Sequence, residues 1–142
     1  TFPSYMALFE AVQPINSSFG PLSDEQKHHM VKTAVHQRAD GQWEFKTDPK
    51  IGDAFRDGLK QTAMDMWPLW AAVTQPVLVL RGAESDLLSA ATVEKMLAAH
   101  HGAGRIAEAL TIADTGHAPM IMDDPTIAAV KRFLHASPWE AA

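Results

Sequence analysis

The run Val77-Leu78-Val79-Leu80 constrains this chain more than any other feature. It is continuously apolar, built of β-favouring residues and bounded by Pro76 and Gly82, so it reads as a strand without a solvent face. Strands covered on both faces belong to parallel sheets, and a parallel neighbour has to be reached through a crossover, usually a helix. The next residues supply one. After a loop from Gly82 to Leu88, Ser89 caps a helix whose inner face is Val93, Met96 and Leu97 and which ends near Gly102. Residues 109–113 then read as a second strand, and the order strand, helix, strand fits a right-handed crossover. The predicted fold class is α/β. A closing helix has Asp124 as N-cap, Pro125 at its first position, and Ile127, Val130, Phe133 and Leu134 along one face.

Residues 1 to about 74 read as nearly all helical. Phe2, Tyr5, Met6 and Phe9 keep the spacing of one helix face until Pro14 interrupts it. Ser23 and Gln26 have the form of a capping box, followed by the apolar stripe Met30, Val31, Ala34 and Val35. Asp40-Gly41 marks a turn before Trp43 and Phe45, which alternate with polar residues as a short extended segment does. Asp48-Pro49 opens another helix, with Ile51, Ala54, Phe55 and Leu59 inward, and Pro68 suits the first turn of a further short one.

Composition excludes several functions. Seventeen acidic against twelve basic side chains give a net charge of −5, with the basic residues scattered, so nucleic acid is not an expected partner. The absence of cysteine excludes disulfides, thiolate catalysis and Cys-ligated zinc. His28-His29 and His100-His101 are adjacent pairs, and helical neighbours point about 100° apart. With no His-Glu-x-x-His spacing, they read as surface histidines and no metal site is expected. Gly20, Gly41 and Gly58 form no phosphate-binding loop, and no cofactor is expected. No apolar run approaches the roughly 18 residues of a membrane span and no signal segment opens the chain, so a soluble, cytoplasmic protein without a membrane partner is expected.

The chemistry concentrates in the loops after the two strands. In open α/β sheets ligands bind beyond the carboxyl ends of the strands, and Asp86 and His117 each lie a few residues past such an end. An imidazole acts as general base when a carboxylate holds one ring nitrogen, fixing the tautomer and stabilising the imidazolium that forms. Asp86 and His117 suit those roles, with Glu84 and Asp114 as rival acids. Trp67 and Trp70 are candidates for lining a substrate pocket, although an aromatic pair at i, i+3 fits packing better.

The stretch Pro76-Val77-Leu78-Val79-Leu80-Arg81-Gly82-Ala83-Glu84-Ser85-Asp86 resembles the penultimate core strand and acid loop of α/β-hydrolases. Thr115-Gly116-His117-Ala118-Pro119 resembles their histidine loop. The resemblance implies that residues 75–142 are the C-terminal part of the hydrolase core and residues 1–74 the helical cap inserted before it. It also implies a small-molecule substrate, with Asp86 and His117 as acid and base of a catalytic triad.

One part of the family pattern is missing. A nucleophile elbow needs glycines two residues either side of the serine, because the strand-to-helix turn leaves no room for side chains there. No serine has that setting; Ser18 comes nearest, with Gly20 after it but Asn16 before it. Two parallel strands also make too small a sheet, and the first would expose an unpaired edge. With the start at Thr1, these features lead to the expectation of a C-terminal fragment, inert alone, whose partner is the missing N-terminal half and which self-associates without it. The expected parent is an esterase-like hydrolase working through an upstream serine. An upstream aspartate would make it an epoxide hydrolase or dehalogenase, and a binding module that keeps the fold is the non-enzymatic alternative.

Overall fold

The structure, a computed structural model, describes residues 1–53 and 65–136. The chain divides into two compact units, Thr1–Asn16 with Ser23–Asp65, and Ser17–Leu22 with Met66–Ala142.

In the first unit, α1 spans Tyr5–Asn16 and α2 spans Asp24–Ala34. Ser4 Oγ accepts the Ala7 amide at the start of α1, and the helix runs on through Pro14 instead of stopping there. Phe2 is extended, exchanging two backbone hydrogen bonds with Trp43. The capping box of α2 forms as read: Ser23 Oγ accepts the Gln26 amide at 3.2 Å, and Gln26 returns Oε1 to the Ser23 amide at 2.8 Å.

A hairpin follows, so the first half is not wholly helical. Val35, read as the end of a helical stripe, begins β1 (Val35–Gln37), which pairs antiparallel with β2 (Trp43–Phe45). Gly41 takes the positive φ, +82°, that the turn requires. The extended segment read at Trp43 and Phe45 is β2, whereas β1 escaped the reading because Val35 also fits the helical stripe before it. Leu8, Val12, Val31 and Val35 form the core of this unit, with Tyr5, Phe9 and Trp43 against it. Of the helix read over Ile51, Ala54, Phe55 and Leu59, only Ile51 lies within the described residues.

The second unit is the α/β part. Its helix α3 (Trp67–Ala72) has Pro68 in the first turn, and strand β3 (Val77–Gly82) follows. Helix α4 (Ala90–Gly102), capped by Ser89 Oγ on the Thr92 amide, leads to strand β4 (Ala107–Ile112). The strands pair in parallel, in register from Val77 opposite Ala107 to Gly82 opposite Ile112. The second strand starts two residues earlier than its apolar stretch suggests, because pairing with β3 fixes its beginning.

Helix α5 (Asp124–Ala136) closes the unit. Its capping side chain is Asp123 and not Asp124: Asp123 Oδ1 accepts the Thr126 amide at 2.8 Å. The buried face is accordingly Thr126, Ala129 and Phe133, whereas Leu134 is exposed. Val79, Val93 and Ala107 complete the buried apolar set, but Leu78 and Leu80 of β3 are only half-buried. Among the described residues no helix is long and apolar enough to cross a membrane.

Candidate active site

The parallel register brings the carboxyl ends of β3 and β4 side by side, so the loops that follow leave from one edge of the sheet. The first loop is tied to its own strand by Arg81, whose Nε donates to the Leu88 carbonyl at 2.7 Å and whose Nη2 donates to that of Ala83 at 3.1 Å. In the second loop Asp114 takes a left-handed φ of 51°, and Thr115 and Gly116 are buried. Backbone bonds join the two: the Ala83 amide donates to Ile112 at 2.8 Å, and the Glu84 amide to Thr115 at 2.9 Å.

Two glycines permit this contact. A Cβ on Gly82 would fall on the carbonyl oxygens of Gly116 and Thr115, so only hydrogen fits at that strand end. A Cβ on Gly116 would meet the Ser18 carbonyl oxygen at 2.8 Å, the same oxygen that accepts the Gly116 amide at 2.7 Å. The segment Ser17–Leu22 thus lies against the histidine loop, and it does so through backbone.

His117 is exposed at the tip of the second loop, with Nδ1 3.2 Å from Ser85 Oγ. Ser85 Oγ also accepts the Leu88 amide at 3.0 Å. Asp86 is the next residue along the same loop and is exposed. The structure therefore places Asp86 and His117 on adjoining loops, but among the described residues none of Asp86, Glu84 and Asp114 hydrogen-bonds the ring. Ser85 does, and sequence reasoning passed over it. Its only signal was its position immediately before the candidate acid.

Trp67 and Trp70 lie on α3 against α4. Trp70 donates its indole N–H to the Met96 carbonyl at 3.2 Å and tilts over the His100 ring at 4.7 Å, while the Lys95 ammonium sits 4.0 Å over Trp67. His100, read as a surface residue, is 1% exposed, and its Nε2 has no hydrogen-bond partner among the described residues. Amphipathic periodicity missed it because a histidine on the inner stripe counts as polar.

A cavity of about 310 Å³ opens beside the histidine loop, lined by Phe19, Leu22, Ile112, Asp114, Met120 and Asp123 among others. It takes in residues on either side of His117, but neither His117 nor the two tryptophans lines it. Partial burial pushes the Asp123 carboxyl up, yet hydrogen bonds from the Thr126 amide and hydroxyl and from its own amide outweigh this and hold it below its ordinary value. Among the described residues no group of three or more His, Asp or Glu side chains is placed to hold a metal ion.

No family model matches the chain. It is 33% identical over 130 residues to the 3-hydroxybutyrate-oligomer hydrolase of Cupriavidus necator, which covers 87% of this chain and 43% of that protein. Among solved structures, an alpha/beta hydrolase from Novosphingobium aromaticivorans is 34% identical with a TM-score of 0.76, covering 94% of this chain and 46% of that one. A Rickettsia typhi structure matches at a TM-score of 0.77 with 23% identity, covering 96% and 44% respectively, and so shares the fold. The chain spans less than half the length of each of these relatives.

Proposed function

Given that the chain carries the C-terminal part of the α/β-hydrolase fold, we propose that it belongs to a hydrolase of esters or related acyl bonds in which His117 is the general base and Asp86 the acid that orients it. The observation that carries this reading is the placement of both side chains on adjoining loops at the carboxyl end of two parallel strands. The named activity of the Cupriavidus necator relative lends support, since oligomers of 3-hydroxybutyrate are joined by ester bonds.

In this reading a serine from a segment outside these residues is the nucleophile. His117 Nε2 takes its hydroxyl proton as the oxygen bonds to the ester carbonyl carbon. Asp86, accepting from Nδ1–H, stabilises the imidazolium. The tetrahedral intermediate then collapses: the carbon–oxygen bond to the alcohol breaks, and the alkoxide leaves with the proton from Nε2. A water deprotonated by the same nitrogen releases the acid and restores the serine. This chain supplies the base, its orienting acid and the loop contacts that fix both.

The same reading gives the chain a partner. The outer edges of β3 and β4 are where further strands of the fold would pair, and the half-buried Leu78 and Leu80 lie on faces that their helices would cover, supplied by the segment that carries the serine. The test is hydrolysis of a short-chain ester by the longer gene product and its variants. His117→Gln and Asp86→Asn should each lower kcat by about 10³-fold or more. Activity that survives both substitutions would refute the assignment.

A further inference from the structure

The direction of the contact between Ser85 and His117 depends on the tautomer of the ring. Ser85 Oγ has one proton to give, and it already accepts the Leu88 amide at 3.0 Å. That bond is held in place by the Arg81 guanidinium on the Leu88 carbonyl and by the Ser85 amide on the Gly82 carbonyl at 3.1 Å, so the hydroxyl oxygen has a fixed position. His117 Nδ1, at 3.2 Å, is the acceptor that the hydroxyl proton reaches among the described residues. If Nδ1 instead donated to Ser85, the hydroxyl would accept twice and its own proton would turn to solvent, so the two arrangements differ in which ring nitrogen carries the proton.

A ring that accepts at Nδ1 carries its single proton on Nε2. That tautomer cannot take a proton from an alcohol, because the nitrogen facing the nucleophile is already protonated. The working tautomer needs its proton on Nδ1, held by a carboxylate. Ser85 and Asp86 are consecutive residues, and both are candidates for the same nitrogen.

We propose that Ser85 is a positioning residue that holds His117 in a resting tautomer, Nε2–H, and that Asp86 displaces it at Nδ1 when the site becomes competent. The inference rests on His117 being the base, but the pairing itself is measurable without any catalysis. Exchange of Nδ1 from the Ser85 hydroxyl to the Asp86 carboxylate moves one proton across the ring through solvent and changes no net charge.

The experiment is long-range ¹H–¹⁵N correlation of ¹⁵N-labelled protein at a pH where the ring is neutral, on this 142-residue chain. In the unsubstituted chain His117 Nδ1 should appear as the bare nitrogen and Nε2 as the protonated one. Ser85→Ala should reverse the two, as Asp86 takes the Nδ1 proton. Ser85→Thr keeps the hydroxyl and should restore the original pattern, which separates loss of the hydrogen bond from damage to the loop. Asp86→Asn should leave the pattern of the unsubstituted chain unchanged. A protonated Nδ1 in the unsubstituted chain, or the same tautomer with and without the Ser85 hydroxyl, would overturn the proposal. Reversal by Ser85→Ala in a protein whose longer form proves inactive on esters would support the pairing and defeat only the hydrolase reading.

Discussion

At the residue scale, the site depends on what glycine leaves out. Gly82 ends the strand that announces the fold, and it is also where the histidine loop passes closest to the acid loop. Overpacking of this kind typically costs about 1–3 kcal/mol, and here the obstruction is backbone that cannot turn aside. Gly82→Ala should therefore lower the unfolding free energy measured in urea by at least about 1 kcal/mol, with a lower midpoint, and move the histidine loop, seen as shifts of the Thr115 and His117 amides. A midpoint unchanged by the substitution would show that the loops are not held together there. The sequence made Gly82 visible as a boundary, but its role as a spacer depends on a contact between residues more than thirty positions apart. His117 and Asp86 stood out as candidates for a different reason: each sits within a short, distinctive loop motif just past an apolar run. Ser85 stands in the same motif as Asp86, but only the folded loop shows its hydroxyl anchored by Leu88 and in reach of the ring.

At the scale of elements, caps and buried faces set the stability of the helices. The α2 capping box was legible because Ser23 and Gln26 stand at the required spacing, and Ser23→Ala should cost about 1 kcal/mol in denaturant unfolding. For α5 the two consecutive aspartates hid the answer, and the hydrogen bond to Thr126 selects Asp123. Its carboxyl is held below its ordinary value, so it contributes stability at pH values above the unfolded-state value. That contribution falls away as pH drops through the lower folded-state value. Asp123→Asn keeps a capping oxygen without the charge, and thermal melts from neutral to strongly acidic pH should show a smaller acid-induced loss than in the unsubstituted chain. Parallel curves would contradict the assignment. On α4, His100 has its Nε2 buried against Trp70 without a partner among the described residues, and an unsatisfied buried polar atom typically costs about 1–3 kcal/mol. His100→Leu should leave the melting temperature unchanged or raise it; a large drop would show that the ring has a role its contacts do not reveal.

For the whole molecule, the parallel pair β3 and β4 and the crossover α4 followed from the apolar run, the Ser89 cap and chain lengths between them. Of the β1–β2 hairpin, the Asp40-Gly41 turn and the extended Trp43–Phe45 segment were legible, whereas β1 was not, because Val35 also continues the apolar stripe of α2. A two-stranded parallel sheet with half-buried leucines leaves apolar surface and strand edges for another segment to cover. The chain alone should accordingly self-associate in sedimentation velocity, and a monomer stable across concentrations would count against that expectation.

The central claim is that Asp86 and His117 serve a serine supplied from outside these residues. Intact-mass measurement after a fluorophosphonate probe tests it most directly, applied to the product of the source gene and to this 142-residue chain. One added label on the gene product, lost with His117→Gln, and none on this chain is the predicted result. A label on this chain, or a gene product that stays unlabelled, would contradict the account, the latter pointing to a different nucleophile or to a fold kept for binding.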